Sequence, residues 1–193
     1  MNQFLLRDIK PHNILLTKDF SPVLMDFGSA ALARVTPANL KEAAYLQASS
    51  FSPTCTRQYW NASCSTPSSR QDTAAERCSM TYRPPELYHV ATGSLVDERT
   101  DIWSLGCLLF ALMHFRGPFD AVYERGDSVA LAVQSGTIQF PKENGVEGVE
   151  NKCHQGLRDL IVGMTNLDIN FRLDINSVIE RVQALQEEAE EKY

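Results

Sequence analysis

Between Asp101 and Phe115 the sequence places Ile102, Leu105, Leu108, Leu109 and Leu112 three or four positions apart. That spacing returns to one side of an α-helix. Toward its end the segment is apolar nearly all round, and a helix of that kind belongs at the centre of a core. The other elements must therefore pack around it. Its densest apolar stretch, Leu105–Met113, has about half of the roughly 20 residues that a membrane span requires, so it reads as core. The chain has 193 residues, 44% hydrophobic and 22% charged. That is the composition of an ordinary globular protein, long enough for one domain with a sizeable core.

Further helices follow from the same period. Residues 127–134 carry Val129, Leu131, Ala132 and Val133 behind Asp127 or Ser128 as cap. Residues 154–166 align Leu157, Leu160, Ile161 and Met164, and residues 176–188 align Val178, Ile179, Val182 and Leu185. A shorter helix within 37–46 would set Leu40, Ala43, Ala44 and Gln47 on one face. The first 34 residues differ. Ile14–Leu16 and Val23–Met25 are three-residue apolar runs around a polar turn at Lys18 and Asp19, which predicts a short hairpin. Between Gln47 and Thr73, 11 of 27 positions are Ser or Thr, with Pro53 and Pro67 added. This stretch reads as loop, part of it disordered. Glu187–Glu191 reads as a solvated acidic tail, so the boundaries expected are a domain over 1–185 and a tail over 186–193.

Charge narrows the classes of partner. Eighteen Lys and Arg against 24 Asp and Glu give a net charge of −6, which argues against a nucleic-acid surface needing clustered cations. The N-terminus shows no secretory pattern, and Asn2 stands where N-myristoylation requires glycine. Without a secretory signal, Asn61-Ala62-Ser63 reads as an ordinary tripeptide and not as a glycosylation acceptor. Five cysteines at long, uneven spacings include no C-x-x-C, so neither a disulfide framework nor a zinc site is indicated. Cys107 reads as a small buried hydrophobe. A reducing, cytosolic setting fits this usage.

The chemistry is concentrated near the start. Arg7-Asp8-Ile9-Lys10-Pro11-His12-Asn13 precedes the hairpin, and Asp26-Phe27-Gly28 follows thirteen positions after Asn13. Asp8, Lys10 and Asn13 share one loop, and the far end of the hairpin delivers Asp26. Two oxygen ligands suited to a hard cation, the Asn13 carbonyl and the Asp26 carboxylate, can then converge near one lysine and one further carboxylate. Oxygen ligands of this kind suit Mg²⁺ bound together with phosphates. Phosphoryl transfer needs such parts: metal to offset charge, a cation on the phosphate, and a carboxylate for the hydroxyl proton.

These residues resemble the eukaryotic protein kinase signature, R-D-x-K-x-x-N followed by D-F-G. Tyr82-Arg83-Pro84-Pro85-Glu86 stands where A-P-E belongs, then come Asp101-Ile102-Trp103-Ser104-Leu105-Gly106 and a late Arg172. The resemblance implies roles for each. Asp8 is the catalytic base and Lys10 contacts the transferring phosphate of ATP, a lysine typical of Ser/Thr kinases. Asn13 and Asp26 hold Mg²⁺. Thr81 bridges Asp8 and Lys10, Asp101 braces the catalytic-loop backbone, and Arg172 pairs with Glu86. Arg7 supports the loop and is a candidate partner for a phosphate on the Ser/Thr-rich stretch. Cys55, Cys64 and Cys78 in that region are expected to be unmodified thiols.

Within the kinases, Ser21–Ser29, Asp97–Asp101, Gly117–Asp120 and Gly126–Gln134 are similar to the Numb-associated kinase group, and there to its lipid-anchored, Golgi-associated branch. That group carries an enlarged activation segment, here 29–80, and the 55 residues between Gly28 and Pro84 accord with it. The implied fold is mainly α with a short β-hairpin, the C-terminal lobe of the bilobal kinase fold with the N-terminal lobe absent. In this family the Gly-rich loop, the strand lysine and its glutamate all precede the catalytic loop, yet six residues precede Arg7. Leu6 also stands where the family has His. The function implied is transfer of the ATP γ-phosphate to Ser or Thr hydroxyls of protein substrates, with little or no activity in these 193 residues alone. The alternative is a non-catalytic docking or regulatory fragment of such a kinase. The resemblance further implies cytoplasmic residence, peripheral at Golgi or vesicle membranes, with any membrane attachment carried by the missing N-terminus.

Overall fold

A computed structural model describes residues 4–48, 80–141 and 152–191. Four short strands come first: β1 (Phe4–Leu5), β2 (Ile14–Leu16), β3 (Pro22–Leu24) and β4 (Ala31–Leu32). Helix α1 (Leu40–Ala48) follows, and then α2 (Arg99–His114), α3 (Asp120–Glu124), α4 (Val129–Ser135), α5 (Lys152–Met164) and α6 (Ile175–Glu190). Single 3-10 turns lie at Pro11–Asn13 and Pro85–Leu87. The fold is mostly helical with two small antiparallel sheets, a composition compatible with a kinase.

The hairpin pairs Ile14 with Leu24, Leu15 with Val23 and Leu16 with Pro22. It lies one residue earlier on its second strand than the apolar run predicts. Met25 N–H bonds the Asn13 carbonyl at 2.8 Å in the same register, so the pairing runs one bond past the strands. The second sheet, β1 with β4, sets Phe4 opposite Leu32 and Leu5 opposite Ala31. Two-residue strands carry no period that the sequence could reveal.

Helix α2 is the centre of the core. Ile102, Trp103, Cys107, Leu108 and Phe110 are all buried, and they point to different sides of the helix. One side packs Trp103 and Cys107 with Phe119, Val129 and Val133, and another packs Ile102 with Leu160, Met164 and Val178. Burial pushes the Cys107 thiol pKa up. The approach of α5 is close at Gly106, where a Cβ would lie 2.9 Å from both Met164 Cβ and Thr165 Cγ2. The apolar character toward the helix end does not bring full burial there. Leu112 and Phe115 are 66% and 96% exposed, while Phe110 in the same stretch is buried against Phe140, so only one side of the helix end is covered.

The other helices adjust the predicted faces. In α1 the buried side is Ala43 and Leu46, while Leu40 is 80% exposed. The face is rotated because Ala43 and Leu46 meet Leu5, Leu87 and Val96. Ser128 caps α4 by accepting from Leu131 N–H, and Gly136 ends it at φ +67°, a conformation glycine adopts without strain. In α6, capped by Asp174, Val178 is buried while Ile179 and Val182 are 47% and 43% exposed. Glu187, Glu188 and Glu190 lie solvent-exposed in its last turn. Helix α3 is too short to show a period. Its Asp120 carboxylate accepts from Gly117 N–H at 2.5 Å. The Ser/Thr-rich residues beyond Ala48, with Cys55, Asn61, Cys64 and Cys78, lie outside the described residues. Among the described residues no helix is long and apolar enough to cross a membrane.

Candidate active site

The first turn of α2 anchors the candidate catalytic loop. Asp101 Oδ2 accepts from Leu6 N–H at 2.6 Å, and Oδ1 accepts from Arg7 N–H at 2.8 Å. Two adjacent amides can point at one carboxylate because Arg7 takes φ +67°, in the left-handed region. Burial pushes the Asp101 carboxyl pKa up, and the two amide bonds and the Arg7 charge offset part of that shift.

Beyond this anchor the loop folds on itself. Lys10 Nζ lies 2.8 Å from Asp8 Oδ2, with both side chains largely shielded. Asn13 Nδ2 donates to the Asp8 backbone carbonyl at 2.8 Å and to Asp8 Oδ2 at 2.9 Å. Pro11 opens the 3-10 turn that brings Asn13 back beneath Asp8, and Asn13 is buried. The Asp8 carboxylate is thus held from two sides, with its orientation fixed by the loop's own residues.

Asp26 comes to this loop through its neighbour, since Met25 N–H bonds the Asn13 carbonyl. Asp26 is exposed and takes φ +55°, and its Oδ1 accepts from Gly28 N–H at 3.1 Å. Pairing of Leu5 with Ala31 fixes the chain beyond this turn beside the chain leading to Asp8. Leu15, Leu16, Phe20 and Phe27 flank the loop pair and are each more than half exposed. The site therefore lies at the edge of an uncovered apolar face.

Behind the site, Arg172 donates to both Glu86 oxygens, at 2.7 and 2.9 Å, and to the carbonyls of Asn166 and Arg99. Its guanidinium lies 5.2 Å from the centre of the Trp103 ring. Thr81 is buried. Sequence reasoning gave no role to the residues preceding Asp101, yet they form a second anchor. Asp97, itself buried, pairs with Arg99, which also donates to the Ile169 carbonyl at 2.6 Å. Glu98 pairs with Arg34 through bonds of 2.7 and 3.2 Å. That bond and the Glu98 charge raise the Arg34 pKa, and the same bond holds the Glu98 carboxyl below its ordinary range. Reciprocal backbone bonds between Val35 and Val96, both 3.0 Å, lie alongside. The only signal for these links is the Asp-Glu-Arg run, which does not name the partners.

This geometry has a counterpart among known proteins, because residues 1–182 match the family described as the protein kinase domain. The chain belongs to the protein kinase family. It is 37% identical over 180 residues to serine/threonine-protein kinase 16 of Rattus norvegicus, covering 93% of this chain and 48% of that protein. The Homo sapiens protein of the same name matches at the same identity and coverage. Serine/threonine-protein kinase ppk13 of Schizosaccharomyces pombe is 36% identical over 138 residues, covering 71% of this chain and 33% of that one. This kinase chain thus spans about half the length of the first two relatives, and both are serine/threonine kinases by name.

Proposed function

We propose that the chain is the catalytic-loop half, the C-terminal lobe, of a serine/threonine protein kinase that moves the ATP γ-phosphate to Ser or Thr hydroxyls of proteins. The observation that carries this reading is the Asp8 carboxylate, held by Asn13 Nδ2 and Lys10 Nζ while Met25 N–H ties the Asp26 turn to Asn13. The donor set fits a magnesium nucleotide. With its Nδ2 committed to Asp8, the Asn13 side chain offers its carbonyl oxygen, and the Asp26 carboxylate is exposed. One or two protein oxygens together with substrate phosphates make the usual Mg²⁺ set.

Asn13 and Asp26 would hold the metal, and when bound, Mg²⁺-ATP supplies the phosphoryl group and offsets its charge. Asp8 orients the acceptor hydroxyl and takes its proton. Lys10 has three donors, so it can contact the phosphate while keeping Asp8 in place. Arg7 and Asp101 position the loop, Thr81 bridges Asp8 and Lys10, and Glu86 with Arg172 fixes the segment that follows. Such transfer depends almost wholly on positioning. The uncovered apolar face beside the loop is where the ATP-positioning half would sit. The 193 residues alone are therefore nearly inactive.

We place the protein in the Numb-associated group, in its lipid-anchored Golgi-associated branch. The similarity to serine/threonine-protein kinase 16 and the resemblance of Ser21–Ser29 and Gly126–Gln134 support that reading. It implies a cytoplasmic protein, peripheral at Golgi or vesicle membranes, acting on protein substrates and not on nucleic acid.

The test measures transfer of labelled phosphate from ATP to casein. The 193-residue chain is assayed alone and after fusion to the N-terminal half of the rat relative. Transfer by the fusion onto Ser or Thr, lost in Asp8→Asn and Asp26→Ala, is the expected result. Transfer by the fusion that survives Asp8→Asn overturns the role of that residue. Transfer by the chain alone, abolished by Asp26→Ala, overturns its inactivity.

A further inference from the structure

Beside the face of α2 on which Phe119 packs, the C-terminal end of the helix, α3, α4 and the residues up to Pro141 line a cavity of about 360 Å³. That is large enough for one bulky side chain and its backbone, near the low end of the range of ligand sites. Phe110 and Phe119, each 2% exposed, form part of its apolar wall. Its polar wall includes Arg116, Arg125, Thr137 and Gln139, and among the described residues no carboxylate lines it. Two cations thus line this hollow on a chain whose net charge is −6, and the carboxylates that pair with them lie outside its lining.

The two arginines are prepared for exchange. Arg116 pairs with Glu124 and Arg125 with Asp127, each at 2.9 Å and with both partners exposed. Pairs of that kind hold little energy, and a guanidinium has five donors, so each can take a second carboxylate cheaply. Arginine beside buried aromatic surface is also what protein interfaces favour at their centres. Exposed apolar residues next in sequence to lining residues point to a partner larger than a small ion. Phe115, just before Arg116, is 96% exposed, and Leu131 on α4 is 69% exposed.

We propose that this cavity is a docking pocket for an acidic peptide segment of a partner protein, with one aromatic or aliphatic side chain seated between flanking Asp or Glu residues. The apolar wall takes the anchor, and Arg116 and Arg125 take the carboxylates. The pocket lies apart from the loop of Asp8 and Asp26, so docking there needs no catalysis.

The test uses the full 193-residue chain and fluorescein-labelled pentapeptides read by fluorescence polarisation. The probes are a Phe flanked by Glu on both sides, the same peptide with Ala for Phe, and the same with Lys for Glu. The all-acidic Phe peptide should bind, and each replacement should weaken it at least tenfold. Arg116→Ala with Arg125→Ala should cost a similar factor while leaving the thermal midpoint in place, since both side chains are exposed. Backbone resonances of Ala132, Thr137 and Gln139 should move on titration. Equal binding of the Lys peptide, binding unchanged in the double variant, or no binding at millimolar peptide each overturns the proposal. Capture of phosphatidylserine vesicles in place of the peptide overturns it in favour of a lipid surface.

Discussion

Arg172 and Glu86, 86 positions apart, meet through two parallel bonds of 2.7 and 2.9 Å. The Arg172 side chain has no solvent exposure and that of Glu86 has 20%. Their pairing ties the segment after the candidate activation loop to the turn before α6, with Trp103 stacked between them and the core. Removing one partner of such a pair strands the other charge and costs about 3–5 kcal/mol. Arg172→Ala should therefore lower stability by that order in urea denaturation. Arg172→Lys should recover only part of it, because an ammonium cannot form the two-bond fork. A loss below about 1 kcal/mol, the range of exposed pairs, contradicts the reading.

Gly106 sets two opposing effects against each other. Alanine would favour the helix by about 1 kcal/mol, but its methyl would lie 2.9 Å from Met164 Cβ and Thr165 Cγ2. Met164 Cβ is fixed to its backbone, so α5 must shift, and overpacking of this kind costs about 1–3 kcal/mol. Gly106→Ala should thus lower the melting temperature. A rise would mean that α5 yields at no cost.

Asn13→Asp turns a donor facing Asp8 into an acceptor. With Asn13 buried and bonded to Asp8 Oδ2 at 2.9 Å, the lost bond and the facing carboxylates should cost about 1–3 kcal/mol. Adding Asp8→Asn restores a donor and an acceptor to the pair, so the double variant should be more stable than Asn13→Asp alone. Additive losses in a denaturation cycle would show that the two side chains do not interact.

Asp101 in the first turn of α2 and Glu98 just before that helix should respond oppositely to pH. Burial raises the Asp101 pKa above 3.8, so the folded state holds its proton longer than the unfolded chain does. Its contribution is fully present below 3.8 and is lost as pH rises through the raised value. The stability of the native chain relative to Asp101→Asn should therefore fall as pH rises from about 4. A carboxyl carbon titrating below 3.8 in NMR would reverse the sign.

Glu98 carries the other sign, because the bond from Arg34 lowers its pKa from 4.5. That contribution is present above 4.5 and fades as pH falls through the lowered value. Arg34→Ala should raise the Glu98 pKa and remove this acid-side loss. An unchanged Glu98 titration would show that the pair does not persist in solution.

Much of the site could be read in the sequence because its parts are local. Asp8, Lys10 and Asn13 lie within six positions, and their mutual bonds follow from one short turn. The helical periods located α2, α4, α5 and α6 within a few residues, since each carries enough apolar positions to fix its phase. The face of α1 was misplaced because nine residues with scattered alanines leave the phase open. The sheet of β1 and β4 and helix α3 were missed for the same shortage of period.

The order of residues specifies a chemical inventory: the loop of Asp8, Lys10 and Asn13, the turn at Asp26, and a central helix that must be buried. Which distant groups meet follows from packing alone. It set Asp101 against the amides of Leu6 and Arg7, Glu98 against Arg34, and Arg99 against the Ile169 carbonyl. It also placed two arginines at the wall of one cavity. The physical reason is range: a bond across 95 positions depends on where every intervening element packs, and a local pattern of residues does not encode that sum.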